Sequence, residues 1–363
     1  MGLAPSVSIT AGGRPLDSSY LASLQSVEVA VAVRKQTMLR MRFAIGQDPD
    51  GDWAEWAEQT FTPATTINID GHAGGSTRRL VNAVLTEFKM DFKVDPCESQ
   101  LEVVGSDSLE NVKRETTRRS YPGQDLQTIV STIFERQNIL APTSGVPDNG
   151  SPNPSREVLM QAQNDLDLLR RLADENGCDV YVEAVGDRDQ GHFEPLDLEN
   201  AATIPSPVVA NQSGQTNVRN GSFYYDLTGP TAVVAQFVDE QGRSGGSEVR
   251  SDLRDHVTGR DKSLLGPPGF AHVLRLDRHG RETRAQLQQL CDATLERNSW
   301  LVIGKGELDS ATYGDVLIPR RAVEVRGVSS AFSGTFLVWE VTHSFTRDRY
   351  CQRFEVRKKL GFN

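Results

Sequence analysis

The sequence has few of the residues that build metal sites, disulfide frameworks or membrane spans. Its 363 residues include four cysteines that lie far apart and form no C-x-x-C pair: Cys97, Cys178, Cys291 and Cys351. This spacing predicts neither a zinc site nor a disulfide framework, and isolated cysteines are typical of buried positions in a reducing compartment. The six histidines form neither H-x-x-x-H nor H-E-x-x-H, and no stretch approaches the roughly 20 apolar residues of a membrane helix.

Sequence motifs of the common enzyme classes are also missing. The chain has no G-x-S-x-G elbow, no P-loop and no G-x-G-x-x-G after a strand. We therefore predict no catalytic, cofactor-binding or metal-binding residues, no cofactor, and a protein that is not an enzyme. A pair of glycosidase carboxylates stays open as an alternative, because 49 Asp and Glu residues single out no particular pair.

The charge of the chain disfavours nucleic acid as a specific partner. Its formal net charge is −10 and its pI is about 5.2, so phosphate backbones are repelled at long range. The stretch 347–359 is the basic exception, with six Lys and Arg residues. We interpret it as a solvated strand face or a charged subunit contact.

The N-terminus, MGLAPSVSITAGG, lacks the basic region and the apolar core of a signal peptide. Met1-Gly2 followed by Ser6 matches the short myristoylation pattern. We expect a protein that is made and assembled in the bacterial cytoplasm without membrane anchoring.

The sequence does contain many stretches that alternate between apolar and polar residues, which is typical of strands with one buried face. Short strands separated by turns favour an antiparallel barrel or sandwich. The predicted strands are Val27–Val33, Leu39–Ile45, Thr65–Asp70, Leu80–Val94, Gln100–Gly105, Asp179–Ala184, Ser222–Leu227, Ala232–Asp239, Gly314–Pro319, Ala322–Gly327, Gly334–Phe345 and Tyr350–Lys359. The last two should pair as a hairpin.

Three segments have helical periodicity: Pro122–Ile139, Asn164–Asn176 and Gly280–Ser299. Asn164 can cap the second helix, and Gly177 can close it in a left-handed conformation. The third has Leu287, Leu290, Cys291, Thr294 and Leu295 on one side.

An acidic loop near residue 50 is a candidate metal site. Asp48-x-Asp50-x-Asp52 begins like a calcium loop, but Trp53 and Gln59 stand where the pattern requires Gly and Glu. The loop 48–58 is thus an acidic hairpin loop or, as the alternative, a metal site.

Two histidines are candidate functional groups. His72 and Asp70 could form an acid–base pair, although we expect an exposed turn there. His343 should face the same side of its strand as Leu337, Trp339 and Val341, packed and hydrogen-bonded rather than catalytic.

Two longer segments resemble the phage late-control protein D family. QNDLDLLRRLADENGCDVYVE (163–183) resembles the family segment Ser-Asp-aromatic-x-Phe-Leu-Arg-Arg-Leu-Ala-x-Glu-x-Gly, with Leu166 and Leu168 where the family often has an aromatic residue. VRGVSSAFSGTFLVWEVTHSFTRDRYCQRFEVRK (325–358) resembles its C-terminal strands, and SYPGQDLQTIVSTIFERQNI resembles its first middle helix. The resemblance is weakest before residue 100.

The resemblance implies a mainly β fold with an α+β insert. Two similar tube-type antiparallel β-barrels would occupy residues 1–110 and 201–363, the second interrupted at about 240–305 by a loop and a helix, with an α/β insert at 111–200. It further implies a baseplate hub similar to the N-terminal part of type VI secretion VgrG spikes. Such hubs are homotrimers that join a hexameric inner tube to a trimeric spike, and we expect a separate spike protein here.

Function follows from that resemblance as an expectation. We expect a structural component of a phage virion or a contractile injection system that contacts the tube, the spike and other baseplate proteins. The acidic composition suggests a negatively charged channel. The alternatives are a tail-associated cell-wall hydrolase and a receptor- or glycan-binding tail protein, for which Trp53 and Trp56 are the clustered aromatic residues.

Overall fold

The fold is known from a computed structural model. It describes residues 6–46, 55–63, 65–94, 98–147, 158–212, 214–236, 248–267, 269, 271–276 and 283–360. The mainly β fold with antiparallel sheets and a few helices is confirmed.

Seven strands and two short helices form the first part of the chain. The strands are β1 (Ser6–Ala11), β2 (Arg14–Pro15), β3 (Leu24–Ala32), β4 (Met38–Ala44), β5 (Thr66–Ala73), β6 (Ser76–Asp91) and β7 (Gln100–Ser106). The helices are α1 (Ser18–Ser23) and α2 (Glu55–Thr60). Alternate residues of β3 and β4, including Val27, Val29, Leu39, Met41 and Phe43, are fully buried in one core, as their period of two predicts.

The middle part mixes helices and strands around a second core. It contains α3 (Leu109–Lys113), β8 (Thr116–Pro122), α4 (Leu126–Arg136), β9 (Val158–Asn164), α5 (Asp165–Glu175), β10 (Cys178–Val185) and β11 (Arg188–Pro195). Asn164 accepts from Asp167 N, so the predicted cap of α5 is confirmed, and α4 starts at Asp125, whose side chain accepts from Thr128 N. Gly177 has φ +69°, so the left-handed closure of α5 is confirmed.

The last part holds a third core and returns to β structure. Its elements are β12 (Val208–Val209), β13 (Val218–Tyr225), β14 (Ala232–Gln236), β15 (Glu248–Asp252), α6 (Gly259–Leu264), β16 (Val273–Leu276), α7 (Arg284–Asn298), β17 (Val302–Asp309), α8 (Ser310–Tyr313), β18 (Ala322–Arg326), β19 (Gly334–Thr346) and β20 (Arg349–Lys358). A capping box between Thr283 and Gln286 starts α7. The predicted hairpin of β19 and β20 is confirmed.

One sheet runs through the first and last parts. Its strand order is β13-β17-β20-β19-β3-β4-β7-β6-β5-β1-β2, with β18 beside β19 and β12 beside β18. The antiparallel pairing of β3 with β19, from Glu340↔Ala32 to Thr346↔Ser26, joins the two parts. The strands assigned by prediction to two barrels are therefore continuous in hydrogen bonding.

Two strand predictions are wrong in detail. Gly314–Pro319 is not a strand: α8 ends at Gly314 in a left-handed conformation, and the N–H of Leu317 donates to the side chain of Gln352 instead of to a neighbouring strand. Pro319 has no N–H with which to continue a ladder. The strand predicted from Ser222 begins earlier, at Val218, and ends at Tyr225.

A β-bulge at Trp339 changes the predicted faces of β19. The register shifts between Val338 and Glu340, so Val338 and Val341 lie in the third core whereas Leu337 and Trp339 pack in a small separate cluster with Trp300. The prediction that Leu337, Trp339 and Val341 share one face is wrong, because a bulge inserts one residue and reverses the alternation beyond it.

Candidate functional surfaces

Arg320 lies where all three parts of the chain meet. Its Nε donates to Asp179 Oδ2 of β10 at 2.8 Å, and its Nη2 donates to the carbonyl of Ala32 in β3 at 2.9 Å. Its guanidinium carbon lies 3.8 Å from the centre of the Tyr181 ring. The backbone N–H of Arg34 also donates to Asp179. Arg320 is held in the left-handed region at φ +65°, so these contacts outweigh an unfavourable backbone conformation.

A cavity of about 470 Å³ lies beside this junction and is bounded by all three parts. Its lining includes Asn82, Asp107, Asp189, Arg320 and His343. Most of these polar groups already have protein partners. Asn82 Nδ2 donates to Asp189 Oδ1 at 2.9 Å, and the N–H of Thr37 donates to Asp107 Oδ2 at 2.6 Å. Hydrogen bonds between residues of this lining therefore connect different parts of the chain.

Burial shifts the titration of three groups in this lining. It raises the pKa of Asp107 to about 7 and raises that of Asp189. It lowers the pKa of His343 to about 3, so that ring is neutral near pH 7. His343 Nδ1 lies 2.8 Å from the Tyr350 hydroxyl, and among the described residues no atom hydrogen-bonds to Nε2. The geometry supports a packed role for His343.

His72 and Asp70 are not brought together as an acid–base pair. His72 lies half-buried on β5, not in an exposed turn as expected, and its ring nitrogens contact Ser8 Oγ at 2.7 Å and Thr77 Oγ1 at 2.9 Å. Asp70 accepts from Arg79 Nε at 2.6 Å. Thr77 lies opposite His72 and Arg79 lies opposite Asp70 across β5 and β6, whereas Ser8 of β1 lies opposite Asp70 and reaches His72 diagonally.

The predicted acidic loop is described only in part. Asp48, Asp50, Asp52 and Trp53 lie outside the described residues. Trp56 is on α2, where its ring stacks on Tyr20 with centroids 4.1 Å apart and packs against the first core. Trp56 is therefore a packing residue and does not form an exposed platform.

The cysteines, the possible metal ligands and the helix lengths bear on the remaining kinds of site. Cys178, Cys291 and Cys351 are free and buried, and burial raises their pKa to about 12, 11 and 11 respectively; Cys97 lies outside the described residues. Within the part of the chain that the structure describes, no group of three or more His, Cys, Asp or Glu could hold a metal ion. No helix in that part is long and apolar enough to cross a membrane.

The long sheet has one side that carries many charged residues, which we call the polar face. It is the outward side of β17, β20, β19, β3, β4, β7 and β6, and the register aligns its residues across strands, as in Lys305↔Glu355, Arg40↔Glu28 and Lys89↔Glu102. Its basic residues are Arg40, Arg42, Lys89, Lys305, Arg349, Arg353 and Arg357, and its acidic residues are Glu28, Glu87, Asp91, Glu102, Glu307, Asp309, Glu340 and Glu355. Seven strands about 4.8 Å apart make this face roughly 30 Å wide.

Every basic residue of the polar face is paired with an acid on the same face. Arg353 donates to Glu28 at 2.6 Å, Lys305 lies 3.0 Å from Glu355, and Arg349 pairs with Glu307. The remaining pairs are Arg357–Glu355, Arg40–Glu102, Arg42–Glu102 and Lys89–Asp91. Three of the six basic residues in 347–359 thus belong to these ion pairs: Arg349, Arg353 and Arg357.

The sequence predicted a charged strand face only for the stretch 347–359; the extent of the polar face over seven strands and the Arg320 junction were not identified from it. The alternation of charged residues in R-Y-C-Q-R-F-E-V-R was a visible signal for the face. No local signal pointed to the partners, because Arg320 and Asp179 are 141 residues apart.

Comparisons with known proteins locate this fold. No protein-family model matches the sequence, and no curated protein matches it significantly. Among solved structures, the 43 kDa tail protein of prophage MuSo2 from Shewanella oneidensis matches with a TM-score of 0.66 and 11% identity, over 97% of this chain and 98% of that one. A tail protein from Neisseria meningitidis MC58 matches with a TM-score of 0.63 and 10% identity, over 98% and 97%.

A third match comes from secretion machinery. An Escherichia coli component of the type VI secretion system, described as structurally similar to the bacteriophage T4 tail proteins gp27 and gp5, has a TM-score of 0.54 and 15% identity, over 94% of this chain and 74% of that one. The resemblance predicted from the sequence is confirmed at the level of the fold. This chain has the fold of phage tail proteins and of the type VI secretion component that resembles them.

Proposed function

We propose that the chain is the structural baseplate hub of a contractile phage tail or contractile injection system, a homotrimeric adapter between a hexameric inner tube and a separate trimeric spike. The observation that carries this proposal is the match to the Shewanella tail protein over nearly the full length of both chains. A match of that extent includes both β parts, the α/β insert and their arrangement.

The junction of the three parts supports an adapter role. An adapter transmits force between its two partners, so its parts must keep a fixed relationship. The buried Arg320–Asp179 pair and the β3–β19 ladder provide two independent connections between them. Shape and interface matching then perform the function, and no reaction is required.

Symmetry supports the trimer. If each chain contributes two similar β parts, about residues 1–110 and 201–363, three chains present six comparable units to a hexameric tube and keep threefold symmetry toward a spike. Assembly of this kind would occur in the bacterial cytoplasm before the particle is released.

The test is the mass of the purified protein in solution, alone and mixed with the candidate spike and tube proteins. We expect a trimer, or a monomer that becomes a trimer when the spike is added. A trimeric protein from an unrelated system serves as the control for nonspecific association. A chain that stays monomeric with both partners would refute the proposal.

A further inference from the structure

His72 is a candidate functional group in the sequence, and the proposed hub assigns it no role. Its ring contacts two hydroxyl groups on neighbouring strands. Nε2 lies 2.7 Å from Ser8 Oγ of β1, and Nδ1 lies 2.9 Å from Thr77 Oγ1 of β6. A hydroxyl nucleophile that contacts a base, with the base held by a third group, is the arrangement of nucleophilic catalysis.

A tight turn sets the position of Thr77 relative to His72. Gly74 and Gly75 have φ +58° and +90°, and they connect β5 to β6 as a two-residue turn. Such turns favour glycine because both of their central residues have positive φ. The register that follows places Thr77 directly opposite His72, so the hydroxyl of Thr77 holds the imidazole ring from one side.

Ser8 is accessible to a reagent in solution. It is exposed, whereas Ile9 beside it is 4% exposed and packs in the first core, as the alternation of a strand requires. The residue opposite Ser8 on β5 is Asp70, whose carboxylate already pairs with Arg79 at 2.6 Å. His72 is therefore the base that contacts the serine hydroxyl.

The edge of β1 beside Ser8 can supply hydrogen-bond donors. Among the described strands, β2 is the neighbour of β1 on this edge, and it pairs only with Thr10 and Ala11. An edge strand presents backbone N–H groups that no ladder uses. Backbone N–H groups next to a nucleophile are the donors that stabilise the oxyanion formed from an acyl group.

We propose that Ser8 is a nucleophile toward carboxylic esters, that His72 is its general base, and that Thr77 positions the imidazole. Ser8 Oγ forms a bond to the acyl carbon while its proton passes to His72 Nε2. The bond from that carbon to the leaving oxygen breaks, and the leaving alcohol takes the proton. Water then attacks the acyl-serine with His72 again as base, which releases the acid and restores Ser8.

The third group limits the substrates. Thr77 has no charge with which to stabilise the imidazolium, a task that a carboxylate performs in Ser-His-Asp triads. We therefore expect esters with good leaving groups to react and amides to be inert. This activity is additional to the structural role of the hub and does not depend on it.

The experiment measures labelling of the purified protein by a fluorescent fluorophosphonate. This reagent transfers its phosphonyl group to a serine Oγ with loss of fluoride, and mass spectrometry of the peptides locates the adduct. Hydrolysis of p-nitrophenyl acetate is followed in parallel. The variants are Ser8→Ala, His72→Gln, Thr77→Val and Thr77→Ser. Ser6→Ala is the matched control, because Ser6 is exposed on the same strand whereas the hydroxyl in contact with His72 is that of Ser8.

We expect an adduct on Ser8 that forms at least about 100-fold faster than in His72→Gln, the lower end of what a positioned general base contributes. Ser8→Ala should remove this adduct and slow the hydrolysis of the ester. Thr77→Val should slow labelling and Thr77→Ser should restore it, because the hydroxyl positions the ring. Ser6→Ala should stay within about twofold of the unmodified protein, as exposed substitutions away from such contacts usually do.

The absence of an adduct on Ser8 of the unmodified protein would overturn the proposal. Equal labelling rates in the unmodified protein and His72→Gln would also overturn it, as would ester hydrolysis that Ser8→Ala leaves unchanged. Denaturant titration of each variant checks that the fold is kept. Failure of this proposal is distinguishable from failure of the hub function, because the mass in solution reports trimer formation whether or not Ser8 reacts.

Discussion

Arg320 and Asp179 form a buried ion pair in which the two side chains are 7% and 1% exposed. The pair connects the segment before β18 to β10 of the insert, and the same guanidinium reaches the carbonyl of Ala32 in β3. Both charges have further hydrogen bonds, which is the condition under which a buried pair is tolerated. This contact therefore joins all three parts, in addition to the β3–β19 ladder between the first and the last.

Removal of either member of the Arg320–Asp179 pair should destabilise the folded protein. We predict that Arg320→Met lowers the free energy of unfolding by about 3–5 kcal/mol, since Asp179 is left buried without its ion-pair partner. The double change Arg320→Met with Asp179→Leu should recover part of that loss. Denaturant titration measures both. Arg353→Met is the matched control, because its pair with Glu28 is exposed and should contribute less than about 1 kcal/mol; equal losses for Arg320→Met and the control would contradict the prediction.

Asp107 should make the protein less stable as pH rises. Burial raises the pKa of Asp107 from 3.8 to about 7, so between these values the folded state binds a proton that the unfolded state has released. Its contribution to stability is complete below about pH 4 and decreases by about 1.4 kcal/mol per pH unit up to about pH 7. We predict that Asp107→Asn removes this slope. Denaturant titration of the unmodified protein and of Asp107→Asn between about pH 4 and pH 7 measures the dependence of stability on pH. Identical slopes for the two proteins would contradict the prediction.

His343 should make the protein more stable as pH rises, which is opposite to the effect of Asp107. Burial lowers the pKa of His343 from 6.5 to about 3, so the unfolded state binds the extra proton between these values, and stability is lost as pH falls through that window. We predict that His343→Gln weakens this acid sensitivity, although loss of the contact to Tyr350 lowers stability at every pH. Because Asp107 and His343 oppose each other between about pH 4 and 6.5, the two single variants should diverge there. Parallel pH profiles of the two variants would show that neither group titrates as described.

Gly304 in β17 has no room for a side chain. A Cβ at this position would lie 2.2 Å from the Phe223 ring of β13. We predict that Gly304→Ala displaces Phe223 and lowers the free energy of unfolding by about 1–3 kcal/mol. Gly46→Ala is the control, since nothing lies within 4 Å of its added Cβ, and its effect should stay within about 0.5 kcal/mol. Thermal or denaturant unfolding of the two variants distinguishes these values.

Local features of the chain were predictable because their causes are local. The period-two patterns of β3 and β4 and the caps at Asn164 and Gly177 depend on residues within a few positions of one another. Helix starts were less well placed: α4 begins at Leu126 and α7 at Arg284, several residues after the predicted starts. In both cases a capping side chain, Asp125 or Thr283, sets the first turn.

The sequence by itself determined many of the strands, the three longest helices, that their alternation builds mainly β cores, and which known fold they resemble. Only the tertiary structure decided that β3 pairs with β19, that a bulge at Trp339 reverses the faces of its strand, and that Arg320 meets Asp179 across 141 residues. It also decided that the charges of the long sheet lie opposite one another in pairs. Propensity and periodicity act over a few residues, whereas pairing partners and register are selected by the burial and hydrogen bonding of the whole chain.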